Sequence, residues 1–159
     1  MAKIDDIDRK ILEFLHENAF ISNKEMAQRL GMSPTPIHER IKKMEKEGII
    51  KGYKAIIDAH KLGKSLTVFC EITLKEHAAD YLKQFENDVM ELKEVQECFC
   101  VSGNSDFLLK IVVSDMDDYR DFILHKLASI KNIGNAQSHF VMNEIENQNF
   151  SSWINNWYP

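Results

Sequence analysis

The stretch "SNKEMAQRLGMSPTPIHERIKKMEKEG", Ser22–Gly48, decides the fold of the first third of the chain. Ser22 and Glu25 have the S-x-x-E spacing of a capping box, in which the hydroxyl accepts from an amide of the first turn and the carboxylate reaches back. Met26, Ala27 and Leu30 supply a short apolar face, and Gly31 tolerates the left-handed conformation that ends many helices. Ser33 then stands in cap position for a second helix, with Pro34 as its first residue and Pro36 as its third. Neither proline gives up an intrahelical bond, because the first amides of a helix have no partner within it. The prolines therefore fix where the helix starts, and Ser33 is left to bond the amide of Thr35. Two capped helices separated by a short glycine turn are the pattern of a helix-turn-helix.

The second helix is expected from Pro34 to about Glu47, stopping at Gly48. Ile37, Ile41 and Met44 fall at i, i+4 and i+7 and define its buried side. Thr35, Glu39, Lys42 and Lys46 lie nearly opposite, flanked by Pro36, His38 and Lys43. The whole chain has a formal net charge of −5. Residues 1–54 carry eleven Lys/Arg against nine Asp/Glu, and residues 55–159 carry nine against sixteen. The basic excess is thus local, which points to an anionic partner for the N-terminal part. Lys42, Lys43 and Lys46 suit phosphates, while Thr35, His38 and Glu39 suit base edges, and Ser33 with the free amides of the first turn suits a phosphate. Arg40 lies at the edge of the buried side, where it contacts phosphate or pairs with an acid of its own domain. Glu39 and Glu45 have a second reading as helix-pairing acids.

Around this motif, Asp5 to Asn18 reads as a helix with Ile7, Ile11, Leu12, Phe14 and Leu15 as its apolar stripe. Its acids Asp5, Asp6 and Asp8 sit where the helix dipole favours anions. The run "IIKGYKAII" after Gly48 reads as a small β-hairpin, a wing behind the helix-turn-helix. The segment "DAHKLGK", residues 58–64, reads as a linker. Beyond it "LTVFCEITL" alternates strictly, Ala78 to Leu92 has helical spacing, and "EVQECFCV" and "FLLKIVV" are strand-like runs joined by the turn-rich "SGNSD". Tyr119, Phe122, Ile123, Leu127 and Ile130 mark another helix, and "NAQSHFVM" closes as a strand. The order βαββαβ is the ferredoxin-like arrangement, with both helices on one face of an antiparallel sheet. Thr67, Phe69, Cys98 and Cys100 are expected to give uncharged side chains to the other face, which suits dimerisation.

Composition narrows the function classes. The start "MAKIDDIDRK" has no apolar signal-peptide core, and no apolar run approaches the ~18 residues of a membrane span. Three cysteines without framework spacing fit a reducing cytoplasm. Cys98-x-Cys100 reads as strand packing rather than metal binding, since zinc sites show paired ligand spacings. No metal and no cofactor is expected. No nucleophile elbow, phosphate loop or spaced acid/base pair is present, so a non-enzymatic role is expected, although ferredoxin-like domains also host catalysis.

The segments "IDDIDRKIL", "ISNKEMAQRLGMSPTPIHERIKKMEKEGIIKGY", "VFCEITL", "QECFCVSGNSDFLLK" and "HFVMNEI" together resemble the Lrp/AsnC, or feast/famine, transcription regulators over about Ile4 to Glu146. The resemblance implies an α+β chain: an N-terminal winged helix-turn-helix DNA-binding domain and a C-terminal ferredoxin-like domain that binds an effector and oligomerises. The expected boundaries are 1–57 for the first domain, 58–64 for the linker, 65–145 for the second domain and 146–159 for the tail. The DNA-binding set is Ser22, Ser33, Thr35, Pro36, His38, Glu39, Arg40, Lys42, Lys43 and Lys46. The resemblance further implies a homodimer assembling to a higher oligomer, often an octamer, on double-stranded DNA. A small amino-acid effector is implied near the loop, at Gly103, Asn104, Ser105 and Asp106, with Ser138 lining the same pocket. Family members commonly carry an acid and then an aromatic after that glycine, where this chain has Asn104 and Ser105. The alternative function is an effector-independent DNA-packaging or oligomerisation protein. The tail aromatics Trp153, Trp157 and Tyr158 suit either an interface or docking on the chain's own sheet.

Overall fold

A computed structural model describes residues 4–145. The aromatic tail lies outside the described residues. The chain divides into one unit reaching to Ile56 and another spanning Ile57–Glu144.

The first unit holds three helices, α1 (Asp6–Glu17), α2 (Asn23–Leu30) and α3 (Pro34–Lys46). Ile11, Ile21, Met26, Ala27, Ile37, Ile41 and Met44 form its core. The helical spacing of these residues brings one stripe of each helix to a common centre. Asp5 caps α1 with a full capping box: its Oδ1 accepts from the amides of Ile7 and Asp8, both at 2.9 Å, and Asp8 Oδ2 accepts from the Asp5 amide at 3.1 Å. Gly31 ends α2 at φ 66°, so the turn into α3 needs a residue without a β-carbon penalty.

Three expectations are corrected here. The box at Ser22 is half formed. Its Oγ accepts from the Glu25 amide at 3.1 Å, but Glu25 turns to Arg29 at 2.7 Å, because a charged donor one turn on competes better than a neutral amide. Ser33 occupies the cap position of α3 without a side-chain cap bond. Pro36 has removed the amide of the third helical position, the one a serine cap most often uses, so the prolines alone define the helix entry. The segment expected as a hairpin, 49–57, runs without strand pairing among the described residues. The amides of Ile49 and Ile50 both bond the Met44 carbonyl and close α3, and Ile56 and Ile57 are exposed.

The second unit opens with a 3-10 turn, His60–Leu62. It continues as β1 (Leu66–Leu74), α4 (Ala79–Met90), β2 (Val95–Cys100), β3 (Phe107–Val113), α5 (Met116–Asp121) and β4 (Ile133–Phe140). The antiparallel sheet has the order β2-β3-β1-β4. Its buried face carries Val68, Cys70, Ile72 and Leu74 from β1 and Phe107, Leu109, Ile111 and Val113 from β3, packed with Phe85, Val89, Tyr119, Phe122 and Leu127 of the helical segments. Cys98 stands opposite Leu109 and Cys100 opposite Phe107. Residues directly opposite share a face, so both cysteines lie on the helix side, not the outer face as expected. Phe99, opposite Leu108, takes the outer place instead, with Phe69 and Val112.

α5 is not a single regular helix. It continues as a π turn, Phe122–Lys126, and a 3-10 turn, Leu127–Ser129. Phe122 and Leu127 are both buried though five residues apart. A regular α-helix would turn one of them away from the sheet, and the wider π turn keeps both facing inward.

Arg40 links the helices of the first unit. Its Nη1 bonds Asp5 Oδ2 and Asp8 Oδ1, each at 2.7 Å, and Asp8 is the one buried charged residue among the described residues. The amide of Asp8 first, and Arg40 after it, hold the Asp5 carboxyl below its usual value, and Asp8 and then Asp5 raise Arg40. With the folded value of Asp5 below the unfolded one near 4, this contribution is full above about pH 4 and is lost as pH falls through the folded value. Arg40→Ala is expected to lower the local stability of α3 by about 1–2 kcal/mol at neutral pH and to flatten that acid dependence. Amide hydrogen exchange over residues 34–46 measures both.

Candidate functional site

The exposed side of α3 is built by what faces the other way. Ile37, Ile41 and Met44 are buried, and Arg40 is tied to Asp5 and Asp8. Thr35, His38, Glu39, Lys42, Lys43 and Lys46 are left exposed, with Pro36 half-buried at the entry. The structure therefore gathers every residue expected on this helix face except Arg40, which is engaged by the internal acids Asp5 and Asp8.

Two of the three lysines stand beside acids of their own helix. Lys42 Nζ lies 2.7 Å from Glu45 Oε2 and Lys43 Nζ lies 4.0 Å from Glu47 Oε1. Such exposed pairs are worth a fraction of a kcal/mol, up to about 1, so either cation exchanges readily onto a phosphate. Among the described residues Lys46 makes no ion pair. Glu45 also accepts from the Tyr53 hydroxyl at 3.1 Å, which fastens the chain after α3 to the helix. Lys42 foremost holds the Glu45 carboxyl below its usual value. Two contacts escaped the sequence reading. Tyr53, in the stretch expected as a hairpin, reaches back to Glu45, and Asn23, inside the Ser22 cap motif, reaches His38, its Nδ2 lying 3.3 Å from His38 Nδ1. Helical spacing finds neighbours on one helix but not partners on two.

The loop between β2 and β3 belongs to the other unit. Gly103 sits at φ 130°, with Gly103 and Asn104 exposed and Ser105 and Asp106 half-buried. The loop is laced to the end of β1. The Asp106 amide bonds the Ile72 carbonyl at 2.8 Å, Asp106 Oδ2 accepts from the Leu74 amide at 2.7 Å, and Thr73 Oγ1 donates to the Asn104 carbonyl at 3.3 Å. His77 Nε2 lies 3.1 Å from the same Asp106 oxygen. Ser138 is held elsewhere: it stands opposite Cys70 on β1, and its hydroxyl bonds the Tyr119 phenol. No hydrogen bond among the described residues joins Ser138 to Gly103–Asp106. Burial raises the thiol of Cys70 beside this pair and pushes that of Cys98 up to about 11, so both stay protonated at neutral pH. Among the described residues no three His, Cys, Asp or Glu side chains cluster as metal ligands.

Residues 67–149 match the family model of the Lrp/AsnC ligand binding domain, and residues 4–51 match a winged helix-turn-helix DNA-binding model. The chain belongs to the Lrp/AsnC family. The leucine-responsive regulatory proteins of Escherichia coli K12 and Klebsiella pneumoniae are each 42% identical over 146 residues, covering 92% of this chain and 89% of theirs. A transcriptional regulator of Neisseria meningitidis, solved in complex with L-Met, superposes with TM-score 0.85 at 33% identity over 91% of this chain and 94% of that one. AsnC of E. coli superposes with TM-score 0.83 at 31% identity, covering 90% and 95%. This chain is accordingly a DNA-binding transcriptional regulator of the Lrp/AsnC type, and its relatives are regulators rather than enzymes. No helix among the described residues is long and apolar enough to cross a membrane.

Within this Lrp/AsnC chain, Asp106 is first of all an anchor, because its carboxylate satisfies the amide of Leu74, a buried residue. Asp106→Ala is expected to destabilise the C-terminal unit by about 1–3 kcal/mol in a denaturant titration, the cost of an unpaired buried donor. Asp106→Asn keeps an acceptor at that place and is expected to recover most of the loss.

Proposed function

We propose that this regulator binds duplex DNA through the exposed face of α3, that it responds to an amino acid bound at the β2–β3 loop, and that it works inside the cell as an oligomer. The observation that carries the DNA reading is the division of α3. Its apolar residues and Arg40 are used inside the unit, while three lysines and three groups of base-reading chemistry face solvent. Thr35, His38 and Glu39 meet base edges in the major groove, and Lys42, Lys43 and Lys46 meet phosphates. Ser33 has a hydroxyl free of any cap bond and, with Thr35, stands at the entry to the helix. Ser22 stays with the cap of α2. Arg40 acts by holding the helix in place.

Support for the effector comes from the ligand-binding family model and from the L-Met complex of the Neisseria regulator. In this chain Gly103, Asn104 and Ser105 offer backbone and uncharged polar groups, and Asp106 and His77 offer the charge-bearing pair beside them. The acid and aromatic common after the glycine are absent, which favours a small or uncharged amino-acid side chain. Ser138 is not part of this site in our reading. The outer sheet face, with Phe69, Phe99, Leu108 and Val112 around the Lys110–Glu97 pair, offers an apolar centre to a second copy. Effector binding acts through unequal affinity for two assembly states.

A duplex selected from a random library by the full chain, titrated at several salt concentrations, tests the DNA reading. Each phosphate contact contributes about −0.9 to the log–log slope, so Lys46→Ala is expected to flatten it by about that amount. A shallow slope unchanged in Lys42→Ala, Lys43→Ala and Lys46→Ala contradicts it. Calorimetry with a panel of amino acids tests the effector, and no heat from any of them favours an effector-independent oligomer on DNA.

A further inference from the structure

We propose that Asn23 is a positioning residue that sets His38 as a fixed hydrogen-bond donor toward DNA, so that this point of the interface demands an acceptor on the duplex. The inference rests on α3 being the DNA-reading helix and adds the chemistry of one position.

The two side chains come from different helices. Asn23 is the first residue of α2 and His38 the fifth of α3, and the glycine turn brings them together with Asn23 Nδ2 at 3.3 Å from His38 Nδ1. An amide nitrogen only donates, so Nδ1 must supply the lone pair. In a neutral imidazole the proton then sits on Nε2, at the far side of the ring. His38 is exposed, one turn from Thr35 on one side and Lys42 on the other, so Nε2–H is presented at the edge of the proposed reading face. Asn23 itself is half-buried and its Nδ2 is engaged by the ring, which suits it to support His38.

A fixed Nε2–H donor suits purine N7, guanine O6 or a phosphate oxygen, and it rejects the N4 amino group of cytosine and the N6 amino group of adenine. Glu39, next along the helix and acceptor-only, has the opposite requirement. Adjacent groups of opposite demand match a G·C pair, whose guanine shows acceptors and whose cytosine shows a donor in the major groove. Without Asn23 the ring is free to take either tautomer and either rotamer, and a donor at this point is no longer assured.

The test has two arms. In the free full-length protein, with 15N-labelled histidine, long-range 15N–1H correlation reports the tautomer. His38 is expected as the Nε2–H form in the wild type and as a mixture in Asn23→Ala. In Asn23→Asp the acceptor-only side chain draws the proton to Nδ1. A wild-type Nδ1–H tautomer overturns the proposal. In the second arm, binding to the library-selected duplex is compared at one salt concentration. Asn23→Ala and His38→Ala are each expected to lose roughly tenfold in affinity, the scale of one good base contact. The double variant should lose no more than the single ones, since the residues act as a unit. Duplexes with 7-deazapurines or with single methylphosphonates identify a purine or a phosphate as the acceptor, and His38→Ala should be insensitive to whichever replacement weakens the wild type. Additive losses, or no loss in His38→Ala, overturn the proposal. Failure of the α3 reading itself appears separately, as a salt slope that Lys46→Ala leaves unchanged.

Discussion

Arg40 turns away from the face that its neighbours share and binds Asp5 and Asp8 across the first unit. That choice fixes the rotation of α3. With the guanidinium held at the start of α1, Ile37, Ile41 and Met44 are directed into the core and the opposite side of the helix is directed to solvent. The acids are themselves organised, because Asp5 and Asp8 also exchange bonds as the capping box of α1. One cluster therefore closes the end of one helix and orients another. Asp8 is largely withdrawn from water, so removing its cationic partner leaves a poorly solvated charge, and this asymmetry gives the contact its weight.

The prolines at the head of α3 complete the same constraint. They fix φ at the first and third helical positions and withdraw amides that had no helical partner. Ser33 is then spared from capping, and the helix begins rigidly at the residues proposed to meet DNA. In the second unit the corresponding device is Asp106. One carboxylate oxygen holds the end of β1 and meets His77, so the β2–β3 loop is fixed at its exit while Gly103 and Asn104 stay exposed. Both units thus place their adaptable groups on a rigid, hydrogen-bonded frame.

The two-helix motif, the buried faces and the βαββαβ order were legible in the sequence because each rests on periodicity or on the conformational demands of Gly and Pro. What was not legible involved competition between partners. Nothing in the spacing of Ser22 and Glu25 says that Arg29 outbids the backbone for the carboxylate. The strand pair expected after Gly48 is missing for a related reason: the amides of Ile49 and Ile50 find the Met44 carbonyl instead of a strand. The alternation of Cys98 and Cys100 placed them together on one face, but only the register against Leu109 and Phe107 says which face. The irregular turns after Asp121 leave a trace in the five-residue step from Phe122 to Leu127, which the apolar spacing alone does not distinguish from ordinary helix. Helical spacing alone showed which side chains of α3 are exposed. Arg40, left open between two roles, and Ser138, expected at the loop, had partners far along the chain that no local pattern reveals.

A structure of the full chain bound to its selected duplex tests the central claim most directly. In such a structure α3 is expected in the major groove, with Thr35 and Glu39 at base edges, Lys46 on a phosphate, and Arg40 still on Asp5 and Asp8. A duplex seated on the sheet of the second unit, or Arg40 released to the DNA backbone, would contradict it.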